Sequence, residues 1–276
     1  MELGQASVSA MGSGVLRAAH VKEDAPPWVF EDIVAERLLT DAELAEIERS
    51  MADWAPEVRA GFRLAHAVRA RLAEDVAIEG LEVGRRDYVI LGAGLDTFAW
   101  RHPRAAELEI WELDHPETQE WKRTALTRSG LGEPANVHFV SIDLSTAKLE
   151  EVNPPSLATW NWLGVTMYLK ASATVEILRG IASGRPGTVL VVNFLLAADE
   201  LDDLAAAVQS TAATVLTAVG EPLLASYTKE GVAALFSDSG FSSVELLAGR
   251  DLTERYLQGR PDLRLPSSPV IAVATV

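Results

Sequence analysis

The sequence predicts an α/β fold: an open sheet, mostly parallel, with an antiparallel pair of strands at its C-terminal edge. Three observations predict it. From residue 85 onwards, short runs rich in β-branched and aromatic residues alternate with helical patterns. Several of these runs are apolar nearly throughout, which is typical of strands buried on both faces of a parallel sheet. The last two runs follow each other without a convincing helix between them, so they can pair in antiparallel.

The chain of 276 residues is long enough to bury one sizeable core, and its 48% apolar and 23% charged residues are typical of a globular protein. Disorder as the main state is excluded. We expect a single domain over residues 1–276, with a helical N-terminal cover in residues 1–80 and an α/β core in residues 81–276.

The N-terminal cover is predicted from helical patterns between residues 26 and 79. Thr40 and Glu43 have capping-box spacing, and Pro56 ends the helix that follows them or begins the next. Residues 1–25 lack a convincing helix period, and we expect them to act as a lid. The helices behind them are expected to pack over the ligand-binding end of the sheet.

Five runs predict the parallel strands, and they are residues 87–91, 108–113, 137–142, 159–165 and 188–195. Helical patterns follow the second, fourth and fifth of these runs, and a further helix precedes the edge pair. The predicted helices are residues 117–129, 172–182, 201–219 and 229–238, and the predicted edge strands lie in residues 241–248 and 269–276.

Charge and composition exclude several classes of function. A formal charge of −16 repels nucleic-acid phosphates, so we expect no nucleic-acid partner. The absence of cysteine excludes disulfides and thiolate chemistry. The first 20 residues do not have the pattern of a signal peptide, and the longest apolar stretch is about half of a membrane span. We therefore expect a cytoplasmic protein without a membrane partner, and the spacing of histidines and carboxylates predicts no metal site.

The first predicted strand runs directly into Gly92, Ala93 and Gly94. Two glycines allow a tight turn and a close approach of the backbone to a ligand, at the positive end of the following helix. The pattern indicates a nucleotide-type ligand at the carboxyl end of this strand. A plain strand-to-helix turn is the alternative.

The second and third predicted strands each end in an acidic residue. Asp114, next to His115, comes 20 residues after Gly94, where nucleotide-binding sheets place an acid for ribose hydroxyls. Asp143 and Leu144 follow the third strand and suit an adenine amino group and ring. The alternatives are a helix cap for Asp114 and a cap or turn role for Asp143.

Two classes of ligand fit this pattern, and position 97 distinguishes them. A dinucleotide fold uses a third glycine there, beside the pyrophosphate, whereas this chain has Thr97. S-adenosylmethionine has no pyrophosphate, so the sequence favours it as the cofactor over NAD.

Four ordered segments resemble the leucine carboxyl methyltransferase family, and more closely its bacterial branch of S-adenosylmethionine-dependent methyltransferases. They are residues 89–101, 111–123, 141–144 and 162–169. The resemblance extends over about residues 55–195 and implies a Rossmann-like class I methyltransferase sheet. It also implies that Gly92 and Gly94 contact the cofactor, that Asp114 binds its ribose, and that Asp143 and Leu144 bind its adenine.

In this family an arginine in the helix before the first strand holds the cofactor carboxylate. The chain offers Arg63, Arg69 and Arg71, of which Arg69 is the first choice. This chain has Leu163 at the position where eukaryotic members of the family have a glutamate. The difference weakens any inference that this chain shares their phosphatase-methylating activity. Tyr168, just after the fourth strand, is the candidate catalytic residue, since His66, His115 and His138 are better explained by structural roles.

These observations lead to one hypothesis about function and two alternatives. The resemblance implies a bacterial S-adenosylmethionine-dependent methyltransferase, and we expect O-methylation of a small-molecule acceptor, either an organic acid or an aromatic or polyketide-like metabolite. An NAD-dependent oxidoreductase and a non-catalytic S-adenosylmethionine-binding protein are the alternatives.

Overall fold

The computed structural model describes residues 7–146 and 148–276. Its strands are β1 Asp87–Leu91, β2 Glu109–Asp114, β3 Val137–Ser141, β4 Ala158–Trp162, β5 Val189–Phe194, β6 Ser243–Leu247 and β7 Val270–Thr275. Its helices are α1 Val8–Glu23, α2 Asp41–Ser50, α3 Pro56–Glu82, α4 Phe98–Arg101, α5 Pro116–Arg128, α6 Ala171–Ala182, α7 Asp203–Ala218, α8 Lys229–Ser239 and α9 Gly249–Tyr256.

The seven strands form one sheet in the order β3-β2-β1-β4-β5-β7-β6. Strands β1 to β5 are parallel, and β7 lies antiparallel to both β5 and β6. The predicted α/β sheet with an antiparallel edge pair is therefore confirmed. Because the strand order reverses between β1 and β4, the topology places a ligand crevice at the carboxyl ends of these two strands.

Core packing on both sheet faces explains the apolar strand sequences. Trp160 and Trp162 of β4 face the core shared with α6 and α8, whereas Val189 and Val191 of β5 face α3. Each of these four side chains is at least nine-tenths buried. Leu190 and Val192 of β5 belong to the first of these cores, so alternate residues of this strand point to opposite layers, and both layers require apolar side chains.

The capping box predicted before α2 is confirmed. The Thr40 hydroxyl accepts a hydrogen bond from the Glu43 N–H at 3.2 Å, and the Glu43 carboxylate accepts one from the Thr40 N–H at 2.6 Å. None of the helices in the described ranges combines the length and apolar character that a membrane span requires.

Two predictions about helices were wrong. Helix α1 occupies most of residues 1–25, where no helix period was recognised, because its small residues Gly12, Gly14, Ala18 and Ala19 blur the difference between its faces. Residues 1–6 of that segment lie outside the described ranges.

The second error is α9, which separates the last two strands. Its eight residues make only about two turns, and its start is held by the Asp251 carboxylate, which accepts the Ala248 N–H at 3.0 Å. A helix this short repeats its pattern of apolar residues too few times to be recognised from the sequence.

Helix α1 packs directly on the turn that follows β1. The Arg17 guanidinium donates to the Leu95 carbonyl at 2.6 Å, and Gly14 lies against the Leu95 side chain. Residues 8–23 are thus packed against the turn after β1. They are not the separate lid that was expected from the sequence.

Candidate functional site

A cavity of about 490 Å³ lies at the carboxyl ends of the strands, beneath α1, α2, α3 and α7. This volume is in the usual range for small-molecule and cofactor sites. All nine candidate site residues line it: Arg69, Gly92, Ala93, Gly94, Asp114, His115, Asp143, Leu144 and Tyr168. The structure therefore brings together residues from four strand ends and α3.

The turn after β1 requires glycine at two positions. Gly92 has a φ of +65°, and a Cβ atom there would lie 2.4 Å from Cγ2 of Val165. Gly94 has a φ of +46°, and a Cβ atom there would lie 3.1 Å from Cβ of Ala10 on α1. Both conformations are strained for residues with a side chain. The two glycines thus let β1, α1 and the loop after β4 converge around the cavity.

Asp114 at the end of β2 holds this turn and faces the cavity. Its Oδ2 accepts the Gly94 N–H at 2.5 Å, and its Oδ1 accepts the His115 N–H at 2.7 Å. Burial raises the pKa of Asp114 above its ordinary value, although the two N–H donors oppose this shift. Each carboxylate oxygen retains acceptor capacity for a ligand hydroxyl.

The cap of α5 is His115. Its ring accepts the Glu117 N–H at 3.4 Å, while the Asp114 carboxylate accepts the N–H groups of Gly94 and His115. The helix-cap alternative for Asp114 is therefore not what the structure shows.

Asp143 is engaged in a local turn. Its Oδ1 accepts the Ser145 N–H at 2.9 Å and the Ser145 hydroxyl at 2.6 Å, and its Oδ2 accepts the Thr146 hydroxyl at 3.0 Å. The Ser145 hydroxyl is the main cause that lowers the pKa of Asp143. The turn role that was the alternative for Asp143 is thus present, while the neighbouring Leu144 is buried in the cavity wall.

Arg69 is the arginine of α3 that faces the cavity. Its guanidinium donates to the Ser13 hydroxyl at 3.1 Å and lies against Gly164, where a Cβ atom would be 3.1 Å from Nη2. Burial and the nearby Arg17 lower the pKa of Arg69 to about 10, so the side chain stays charged at neutral pH. Within residues 7–146 and 148–276, no carboxylate forms a salt bridge with it.

The other two candidate arginines do not line the cavity. Arg63 pairs with Asp24 at 2.7 Å and with Glu23 at 2.6 Å, and Arg71 pairs with Asp75 at 2.8 Å. Arg69 is thus the arginine of this helix that remains available for an anionic group of a ligand.

A buried charged network beside the turn was missed at the sequence level. The completely buried Asp32 accepts from Arg17 Nε at 2.8 Å and from the Thr97 hydroxyl at 2.7 Å. The Thr97 hydroxyl in turn accepts from Arg101 Nε at 3.0 Å, and Arg101 pairs with Glu74 of α3. Thr97, noted in the sequence only as a missing glycine, is a link in this network.

His66 and Asn193 are among the other polar side chains that line the cavity, and neither was identified from the sequence as a ligand contact. His66 lies one turn before Arg69 on α3. Asn193 of β5 accepts the Gly164 N–H at 2.6 Å, and its buried Nδ2 has no hydrogen-bond partner among the described residues. The sequence does carry a signal for Asn193, because it is a polar residue within the apolar run of β5.

Tyr168 lies in the loop after β4 and borders the cavity. Burial raises the pKa of its hydroxyl above the ordinary value. Leu163, from the same loop, also lines the cavity and packs against the core on the α3 side of the sheet. No group of three or more histidine or acidic residues within the described ranges is arranged to hold a metal ion.

Comparison with known proteins identifies one family. The model of the family described as leucine carboxyl methyltransferase matches residues 10–182. The Bacillus subtilis (strain 168) protein YktD, an inferred S-adenosyl-L-methionine-dependent methyltransferase, is 26% identical over 95% of this chain and 95% of its own length. Rv1729c of Mycobacterium tuberculosis (strain ATCC 25618 / H37Rv), with the same inferred activity, is 30% identical over 53% of this chain and 49% of its own length.

Solved structures share the fold at low sequence identity. A crystal structure of an inferred methyltransferase from Thermobifida fusca YX superposes with a TM-score of 0.59 at 14% identity, covering 99% of this chain and 96% of that one. The apo structure of the S-adenosylmethionine-dependent methyltransferase SibL gives a TM-score of 0.53 at 16% identity, covering 97% and 69%.

Proposed function

The chain belongs to the leucine carboxyl methyltransferase family, and from that premise we propose that it methylates an oxygen of a small organic acid or of an aromatic or polyketide-like metabolite. It is an S-adenosylmethionine-dependent methyltransferase. The observation that carries the proposal is that a glycine turn, a buried carboxylate and an arginine with no carboxylate partner among the described residues meet in one cavity. That the methyl group is transferred to an oxygen atom is our own inference.

The residues of the cavity fit the cofactor. Asp114 offers acceptor oxygens for the ribose hydroxyls, and Arg69 offers a cation for the carboxylate of the amino-acid part. The adenine is assigned to the wall made by Asp143 and Leu144, and the glycine turn gives the space for a close approach. When bound, S-adenosylmethionine supplies an electrophilic methyl group on a sulfonium.

The protein contributes mainly positioning and the exclusion of water. Methyl transfer is an in-line displacement, so holding the acceptor oxygen in line with the methyl carbon supplies much of the rate increase. The apolar side chains of Trp54 and Phe62, whose ring centroids are 4.7 Å apart, form part of the cavity wall and exclude water there. We propose that Tyr168 contacts the cofactor or the acceptor.

Parallel titrations with S-adenosylhomocysteine and NAD test this function. We expect S-adenosylhomocysteine to bind with micromolar affinity and NAD to show no binding by calorimetry, because Thr97 occupies the place of the glycine that a pyrophosphate needs. Tight binding of NAD, without any response to S-adenosylhomocysteine, would contradict the proposal.

A second prediction concerns Arg69. Arg69→Met is expected to weaken S-adenosylhomocysteine binding about tenfold to a hundredfold, because a charge-assisted hydrogen bond is lost. The affinity for 5′-methylthioadenosine, which lacks the amino-acid carboxylate, should not change. Arg71→Met, on the same helix but outside the cavity, is the matched control. Equal losses for both ligands would show that Arg69 does not hold the carboxylate.

A further inference from the structure

The cations around the cavity limit the number of anionic groups that it can hold. Three arginines line it, and two of them are already neutralised: Arg17 by Asp32 and Arg101 by Glu74. In the described part of the chain, only Arg69 lines the cavity without a carboxylate partner. If Arg69 holds the cofactor carboxylate, a carboxylate acceptor would have to enter without a cation of its own, which is costly in a buried site.

The part of the cavity under α2 and α7 is apolar. It is lined by Ile47, Met51, Trp54, Val208, Val215 and Leu216. Two polar side chains beside this wall already have partners: Ser50 donates to the Ile47 carbonyl at 2.7 Å, and Gln209 donates to the Leu196 carbonyl at 3.2 Å. Such a wall suits an uncharged, largely apolar ring system.

His66 of α3 lines the cavity beside this wall: its ring centroid is 6.3 Å from that of Phe62, whose ring in turn lies 4.7 Å from Trp54. Its Nδ1 lies 2.8 Å from the Phe62 carbonyl oxygen, which can only accept, so Nδ1 carries the proton. In the neutral ring Nε2 is therefore an unprotonated acceptor. Burial, together with Arg69 on α3 and Arg17 on α1, lowers the pKa of His66 well below its ordinary value, so the ring is neutral at pH 7.

We propose that the acceptor is an uncharged hydroxyl compound, a phenol or an alcohol on an apolar ring system, and that Nε2 of His66 receives its proton. The inference rests on the proposed function and narrows its acceptor class. A carboxylate acceptor would need no base, whereas a hydroxyl acceptor needs one in the transition state.

The proposed step balances in atoms and charge. The hydroxyl oxygen forms a bond to the methyl carbon of S-adenosylmethionine, and the electrons of the broken carbon–sulfur bond stay on sulfur. The hydroxyl proton passes to Nε2 of His66. One positive charge is lost at sulfur and one is gained by the imidazole, so the net charge of the cavity does not change, and the proton then leaves to solvent.

Binding to the S-adenosylhomocysteine complex tests the acceptor class without turnover. The probes are 2-naphthol and 2-naphthoate, which share one ring system and differ in charge. At pH 7.5 we expect the wild-type complex to bind 2-naphthol about tenfold or more tightly than 2-naphthoate. His66→Phe, which keeps a ring but removes the acceptor, should weaken 2-naphthol binding about tenfold. His138→Phe, on β3 and outside the cavity, should not.

Transfer to 2-naphthol tests the base. His66→Gln should lower the rate of methyl transfer at pH 7 about a hundredfold or more, because the amide can accept a hydrogen bond but not a proton. The loss should shrink above about pH 10, where the phenol ionises by itself. Nitrogen NMR of the imidazole should show Nε2 unprotonated in the wild type down to a pH below 6.5.

The outcomes separate the two proposals. If S-adenosylhomocysteine does not bind, the proposed function fails. If it binds but 2-naphthol does not, or 2-naphthoate binds as tightly as 2-naphthol, the acceptor class is wrong. Transfer to 2-naphthol that is absent in the wild type, or unchanged in His66→Gln, overturns the role of His66.

Discussion

Asp114→Ala is expected to weaken S-adenosylhomocysteine binding about thirtyfold to a thousandfold, corresponding to about 2 to 4 kcal/mol. The alanine removes two acceptors for the ribose hydroxyls from a buried site. It also leaves the N–H groups of Gly94 and His115 without the carboxylate that now accepts them. Calorimetric titration of the purified variant measures the effect.

Two further variants define the cause. Asp114→Asn should lose less affinity, because one side-chain oxygen can still accept a hydrogen bond. Glu109→Ala removes an exposed carboxylate from the same strand and should leave the dissociation constant unchanged. An unchanged dissociation constant for Asp114→Ala, with an intact fold by circular dichroism, would show that Asp114 does not bind the cofactor.

Arg17→Met is expected to lower the free energy of unfolding by about 3 to 5 kcal/mol, measured by urea denaturation at pH 7. The substitution leaves the carboxyl group of Asp32 completely buried and without its main cation. Thr97 and the Ala35 N–H still donate to its other oxygen, and Arg101 lies 3.7 Å away, so the loss is partial rather than total. A loss below about 1 kcal/mol would contradict this account.

The same pair gives a pH dependence. Burial alone would raise the pKa of Asp32, but Arg17 and Arg101 hold it below its ordinary value. The pair therefore stabilises the wild type above about pH 4, and this contribution is lost as the pH falls through the lowered pKa. The difference in stability between the wild type and Arg17→Met should accordingly shrink in acid. Arg250→Met removes an exposed ion pair with Glu254 and should change nothing measurable.

Local sequence signals were sufficient for the sheet and for part of the site. The glycine turn after β1 and Asp114 after β2 were recognisable, since each depends on residues adjacent in the chain to a buried strand. The boundaries of β4 and β5 were predicted too far towards the carboxyl end, because Leu163 and Leu195 are apolar cavity-lining residues rather than strand residues.

The remaining features depend on contacts between distant segments. Asp32 meets Thr97 65 residues further along the chain, and nothing in either local sequence predicts that contact. His66 has the spacing of an ordinary helix residue, so its sequence position does not distinguish a packed face from a cavity wall. The residues of α1 that pack on the turn are small, so the helix can approach the turn closely. The same small size blurs the difference between the faces of the helix and hides its period in the sequence.

The hydroxyl of Thr97 also restricts how this protein can change its ligand over evolution. A dinucleotide site needs glycine at this position. Thr97→Gly would remove one donor to Asp32 and one acceptor of Arg101, which would then depend on Arg17 and Glu74 alone as side-chain partners at hydrogen-bond distance. A single substitution towards NAD specificity therefore destabilises the chain before any pyrophosphate can bind. This loss of stability opposes the change in specificity and favours a ligand without a pyrophosphate at this turn.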